Sequence, residues 1–293
     1  MPRSPSPLRY PGGKTVLYPV VARIMRDNRL EHGAYAEPFA GGCGLALSLL
    51  YEAVAGEIHI NDLDASIWAF WESVLNHTDE FCYRVRKTPL TVEEWHRQRE
   101  VHLAEDASNP LALGFATFYL NRTNRSGVIK AAGIIGGLDQ DGPYKMDCRF
   151  NREELEKRIR RISSYRSQIF LTRMDAIDFM NSLGSELPDS SFFCIDPPYY
   201  KKGRGLYTSF YMPDDHAVLA ENVLRLRQPS VTTYDNVDEI RQLYKTRRQY
   251  EFDINYSLHT KRKGTELLIP SKGLRMPAEL KDKRVVHRRS RAA

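Results

Sequence analysis

Ala34-Tyr35-Ala36-Glu37-Pro38-Phe39 runs through Ala40-Gly41-Gly42-Cys43-Gly44 into Leu45 to Ala53, and this passage decides the fold. Ala34 to Phe39 reads as a short buried strand. The glycines turn the chain, and helical periodicity begins at Leu45. Immediately downstream the unit repeats: Glu57 to Asn61 alternates as a strand ending at Asp62, and Ala65 to Leu75 returns to helical spacing. Two strand–turn–helix units in succession predict a parallel α/β sheet. Upstream, Thr15 to Met25 has the spacing of a helix. Further on, Asp79 to Leu120 reads as about three helices with no strand, so a mainly helical insertion interrupts the sheet. Asn121 to Phe150 follows, basic and glycine-rich, its Gly136-Gly137 and Asp141-Gly142 pairs predicting the turns of one or two hairpins. Asn151 with Glu154 three residues on caps a charged helix to Arg161. The sheet pattern then resumes with strands at Ile169 to Thr172, Phe192 to Ile195 and Ser230 to Tyr234. Helices at Ala176 to Leu183 and Asp214 to Leu226 lie between them. Tyr250 to Tyr256 and Glu266 to Ile269 flank a basic turn and suit an antiparallel edge.

Composition bounds the partners. The 293 residues, 42% hydrophobic and 27% charged, can bury a core. A formal net charge of +6 mildly favours a polyanion. Cys43, Cys82, Cys148 and Cys194 form no CxxC pair, which argues against a zinc site and a disulfide framework and fits a reducing compartment. The proline- and serine-rich start from Met1 to Tyr10 leads into no apolar h-region, and no apolar run reaches membrane-spanning length, so a cytoplasmic protein is expected.

Asp196-Pro197-Pro198-Tyr199 follows the apolar run Phe192 to Ile195 directly, where open α/β sheets place ligand chemistry. Two prolines hold the backbone extended, so the Asp carboxylate and nearby carbonyls can converge on one spot. Such an acceptor cluster suits an exocyclic aromatic amine. It favours the pyramidal, nucleophilic form and stabilises the positive charge that develops on the nitrogen. Tyr199 offers a face for an extruded base. The plain alternative is a proline turn with a capping Asp. Glycines at 41, 42 and 44 permit close backbone approach to a nucleotide-like ligand, without the P-loop or dinucleotide fingerprint. Asp62, about twenty residues later, can accept both ribose hydroxyls of an adenosine moiety, although a strand-end Asp is commonly a helix cap. Tyr10-Pro11-Gly12-Gly13-Lys14, just before the first helix, reads alone as a turn.

Taken in order, Tyr10 to Lys14, Glu37 to Gly44 and Asp196 to Tyr199 resemble the Dam-type (D12 class) DNA adenine N6-methyltransferases. Further likeness lies at Asn61-Asp62, Phe118 to Arg122, Tyr144 to Phe150, Asp235-Asn236 and Gly264 to Leu268. Relatives often carry Trp where Tyr10 stands. The resemblance implies a Rossmann-like S-adenosylmethionine (SAM)-dependent sheet with an inserted helical and hairpin target-recognition domain. Residues 1–64 and 168–275 would form the catalytic domain, 65–167 the insertion and 276–293 a disordered basic tail. It also implies that Tyr10, Gly13, Lys14, Glu37, Phe39, Gly41, Gly42 and Asp62 bind SAM, with Asp175 near its adenine. Asp196, Pro197, Pro198 and Tyr199 would hold a flipped adenine. Residues 121–173 carry twelve Lys or Arg against six Asp or Glu, and similarity to the target-recognition part makes Arg122, Asn124, Arg125 and Lys130 candidates for double-stranded DNA. Lys261 and Arg262 would track the backbone, while Arg158, Arg160 and Arg161 face solvent or phosphate. No metal is needed, and a cognate nuclease is a conceivable protein partner. The rivals are methylation of cytosine N4 or of an RNA base, a silent DNA-binding regulator, and a nicotinamide-dependent oxidoreductase, which lacks its fingerprint here.

Overall fold

The computed structural model describes residues 4–9, 12–201, 211–256, 262–280 and 282. Its centre is a seven-stranded sheet in the order β3-β2-β1-β4-β5-β7-β6. The strands are β1 (Ala34–Glu37), β2 (Glu57–Asn61), β3 (Ile169–Thr172), β4 (Phe192–Ile195), β5 (Ser230–Asp235), β6 (Tyr250–Tyr256) and β7 (Arg262–Pro270). β1 to β5 are parallel. β7 runs antiparallel to β5, and β6 antiparallel to β7. Strands β1, β4 and β5 are buried at every position, as expected of central parallel strands covered on both faces, and this is why they read as continuous apolar runs.

The helices that cover the sheet begin where the chain supplies caps. A 3-10 turn at Lys14–Leu17 leads into α1 (Tyr18–Asp27), and α2 (Gly44–Tyr51) follows the glycine loop. Asp64 starts α3 (Ala65–Asn76) by accepting from the amides of Ser66 at 2.8 Å and Ile67 at 3.4 Å. The helical insertion continues with α4 (Thr78–Lys87), α5 (Val92–Ala104), capped by Thr91, and α6 (Pro110–Thr123), capped by Asn109 with Pro110 at the first helical position. Asn151 caps α7 (Arg152–Ser163) through the Glu154 amide at 3.0 Å. The Glu154 side chain turns instead to Arg158, so only half of the capping box forms. Among the described residues the remaining helices are α8 (Ala176–Glu186), α9 (Pro213–Arg225) and α10 (Asp238–Leu243). The last of these is too short for a periodicity signal. One hydrophobic cluster joins Val21, Leu49 and Ile58 with Phe70, Trp71, Phe81, Phe118 and Ile159, so the insertion packs on the sheet as part of the same core.

Residues 121 to 150 depart from expectation. Instead of hairpins they hold one isolated bridge, Asn124 to Ile134, and 3-10 turns at Arg125–Gly127 and Met146–Arg149. Gly136 and Gly137 both have positive φ, and the Gln140 amide nitrogen ties back to the carbonyls of Ile135 and Gly137. The passage therefore folds on itself as a compact loop with no strand ladder. The predicted basic tail, 276–293, falls mostly outside the described residues.

Asn61 ties the carboxyl ends of three strands together. Its amide nitrogen donates to the carbonyls of Pro38 and Met174 at 3.0 Å each, and its oxygen accepts from the Thr172 hydroxyl and the Met174 amide. The residue is fully buried. Asn61→Ala would strand several buried polar groups, and each costs about 1–3 kcal/mol. The urea midpoint is therefore expected to fall by the equivalent of about 3 kcal/mol, with the denaturant slope unchanged.

Candidate active site

Beyond the carboxyl ends of β1, β2 and β4 lies a cleft lined by Gly12, Gly13 and Lys14, by Glu37 through Leu45, by Asn61 through Asp64, and by Ala176, Cys194, Asp196, Pro198 and Tyr211. This is the crevice where an open parallel sheet binds ligands. The predicted cofactor residues Gly13, Lys14, Glu37, Phe39, Gly41, Gly42 and Asp62 all line it. Asp175 caps α8 through the Ile177 amide at 2.8 Å, and its neighbour Ala176 reaches the wall. Tyr10 lies outside the described residues.

The floor is a glycine loop fixed from two sides. Gly41 has a φ of +46° and donates its amide to Asp62 Oδ2 at 2.8 Å, while its carbonyl accepts from the Trp71 indole at 2.9 Å. At Gly44 a Cβ would come within 2.2 Å of Thr15 Oγ1, so only glycine lets the Lys14–Leu17 turn sit this close. The loop is thus built for backbone approach. Asp62 also accepts from the Asp64 amide at 3.0 Å. Burial nevertheless outweighs these bonds and raises its carboxyl to about 7. Burial likewise lifts Glu37 to about 8, against the hydrogen bond from the Tyr35 hydroxyl at 2.7 Å and helped by the Asp196 charge.

Across the cleft, Asp196 leaves the end of β4. Lys14 Nζ approaches its Oδ1 at 2.9 Å and Thr233 Oγ1 donates to the same oxygen at 2.5 Å. Lys14 also donates to the Tyr199 hydroxyl at 2.7 Å and the Gly12 carbonyl at 3.1 Å, and lies 3.6 Å from Glu266 Oε2. Tyr199 in turn donates to Glu266 Oε1. Burial works against the Lys14 charge, but Asp196 and Glu266 outweigh it and hold the ammonium above its ordinary pKa. Lys14, read from the sequence as a cofactor residue, thus turns its charge to the Asp-Pro-Pro-Tyr turn. Tyr199 is only 3% exposed. The ring expected to offer a face to a base is therefore buried, with its hydroxyl held between Lys14 and Glu266. Thr233 and Glu266 carried no assigned role in the sequence. Glu266 lay within the Gly264 to Leu268 stretch of family likeness, and Thr233 gave no signal beyond its place in a strand.

The candidate DNA residues divide by environment. Arg125 and Lys130 are exposed on the insertion, and Lys130 pairs with Glu105. Asn124 is buried, accepting from the Trp95 indole and donating to the carbonyls of Val128 and Ile129. Arg122 donates to the carbonyls of Arg149 and Pro7. Burial, with the charges of Arg9, Arg158 and Arg149 beside it, pushes its guanidinium down to about 9. Arg158, expected to face solvent or phosphate, instead donates to the Ser4 and Ser6 carbonyls at 3.1 and 3.2 Å, because the N-terminal segment lies across α7. Arg160 is exposed and pairs with Glu156 and Asp79, and Arg161 stacks over Tyr51. Lys261 lies outside the described residues, and of Arg262 only the backbone is described, opening β7.

No helix of the described residues is long and apolar enough to cross a membrane, and none of their His, Cys, Asp and Glu side chains form a group of three that could hold a metal. A family model described as D12 class N6 adenine-specific DNA methyltransferase matches residues 10–262. Comparison with curated proteins gives no match.

Proposed function

The chain belongs to the D12 class N6 adenine-specific DNA methyltransferases, and from that premise we propose that it transfers a methyl group from SAM to the N6 amine of an adenine flipped out of duplex DNA. The observation that carries this reading is the opposition, across one cleft, of a glycine loop with an Asp62 carboxylate and an Asp196 anchored through one oxygen. The loop fits a nucleoside-like cofactor because Gly41, at a φ of +46°, and Gly42 line the cleft with backbone and no side chain. Asp62 would accept the ribose hydroxyls, Leu63 and Phe39 would flank the base, and Glu37 would lie toward the cationic end. When bound, SAM supplies the electrophilic methyl.

The protein's own part is the acceptor. Among the described residues both partners of Asp196 approach Oδ1, so Oδ2 is the oxygen that receives an amine hydrogen. Accepting there would favour the pyramidal nitrogen and stabilise its developing positive charge. A strong base is not needed, since the amine becomes acidic as the methyl arrives, and Asp196 acts by orientation and charge. Arg125 and Lys130, exposed on the insertion, residues 65–167, would meet DNA phosphates.

The test is transfer of labelled methyl from SAM to unmethylated genomic DNA, followed by nucleoside analysis and single-molecule sequencing. N6-methyladenine in one sequence context is the expected product. Label in cytosine N4 or RNA would overturn the substrate, and SAM binding without transfer to any nucleic acid would overturn the activity.

A further inference from the structure

Glu266 is a carboxylate in β7, followed by the buried residues Leu267, Leu268 and Ile269, and is itself 1% exposed. Burying such a group costs several kcal/mol unless it is paired, and well-packed apolar residues usually stabilise as much or more. Stability alone therefore does not account for it. Its neighbours supply another reason. In the register of β5 and β7, Glu266 stands opposite Asp235, and Thr233 lies two residues before Asp235 on the same face of β5. All three grip the turn that follows β4. Thr233 donates to Asp196 at 2.5 Å, Glu266 accepts from the Tyr199 hydroxyl, and Asp235 accepts from the amides of Tyr200 at 2.9 Å and Lys201 at 3.0 Å. Lys14 closes the arrangement by bridging Asp196 and Glu266.

We propose that Glu266 is a positioning residue for methyl transfer, acting through Lys14 and the Tyr199 hydroxyl to hold Asp196 with Oδ2 presented to the incoming amine. The inference rests on the activity proposed above. Glu266 divides the Lys14 charge between two carboxylates. Without it the ammonium bears on Asp196 alone, which makes Asp196 a poorer acceptor for a nitrogen gaining positive charge. The Tyr199 hydroxyl also loses its charged acceptor, and the turn gains freedom. A misplacement of about 1 Å at a reacting group can cost on the order of a hundredfold in rate.

The experiment compares wild type, Glu266→Gln, Tyr199→Phe and the double variant, measuring kcat with saturating SAM and DNA, SAM affinity by calorimetry, and thermal unfolding. Glu266→Gln is expected to lower kcat by about 10- to 100-fold with SAM affinity within about twofold of wild type. The double variant should lose little more than the worse single one, because both changes cut the same link. A merely structural role would instead weaken SAM binding and folding together. If Glu266→Gln fails to fold, Glu266→Asp keeps the charge but shortens the reach, and should lower kcat about tenfold at unchanged SAM affinity. The proposal is overturned by kcat within about threefold of wild type in Glu266→Gln, or in the Asp variant where that is the one that folds. It is equally overturned by a parallel loss of SAM affinity, or by additive losses in the double variant. Absence of N6-methyladenine with the wild-type protein would instead remove the underlying activity, a result visible before any variant is made.

Discussion

Asp196→Ala is expected to reduce methyl transfer by roughly 10³-fold while leaving SAM affinity within a few-fold of wild type. The expectation follows from where Asp196 stands. It lies across the cleft from the glycine loop and Asp62, and in the described residues it bonds to Lys14 and Thr233 and to no residue of that loop. On the proposed activity, deletion would remove the acceptor that steadies the developing charge on the amine, an interaction made most strongly in the transition state, so the loss would fall on kcat. The fold should tolerate the change, because Lys14 keeps Glu266, the Tyr199 hydroxyl and the Gly12 carbonyl as partners. A buried ammonium is therefore not left alone, which is the usual reason that removing one member of an ion pair unfolds a protein. The check is single-turnover transfer of labelled methyl to DNA, alongside calorimetric titration with SAM. Turnover near the wild-type rate would remove Asp196 from the chemistry, and a matching collapse of SAM binding would make it a cofactor residue.

Much of this site was legible in the sequence because its parts are local. The strand from Ala34, the glycine turn and the helix after it are consecutive, and each obeys its own spacing rule. Phe192 to Ile195 reads as a strand because a central parallel strand is apolar on both faces, and that alone places Asp196 at a strand end. Asn151 announced its helix through cap chemistry. The Lys14–Asp196–Tyr199–Glu266 cluster was not legible, since its members come from an N-terminal turn, the end of β4 and strand β7 between β5 and β6. Only their packing shows that Lys14 turns to the carboxylates. Residues 121 to 150 misled for the opposite reason. Paired glycines are strong turn signals, but a hairpin also needs flanking strands in register, and there the chain spends its hydrogen bonds on Gln140 and Asn124. Arg158 looked like a surface charge because nothing in its spacing reveals that Ser4 and Ser6 lie across it.

SAM affinity should weaken as pH falls through 7, and Asp62 is the group that sets the midpoint. Its carboxyl, raised to about 7 chiefly by burial, is the acceptor at the rim of the glycine loop. Ribose hydroxyls donate to an ionised carboxylate more strongly than to a carboxylic acid, so binding favours the form that dominates above the midpoint. The apparent dissociation constant then rises as this one carboxyl is protonated, reaching about 25-fold between pH 7.5 and pH 5.5 for a group titrating at 7. Glu37, raised to about 8, stays largely protonated across that window and adds little to the slope. Asp62→Asn separates this account from a general acid weakening of the protein. The amide cannot titrate, so its affinity should be flat between pH 5.5 and 7.5 and weaker than wild type at pH 7.5 by about 100-fold, the loss of two charge-assisted hydrogen bonds. Calorimetric titrations across the window read both quantities. An unchanged pH profile in Asp62→Asn would move the titrating group elsewhere in the cleft. Full affinity in that variant at pH 7.5 would show that Asp62 serves only to hold the Gly41 amide, leaving the ribose to be bound by the loop backbone alone.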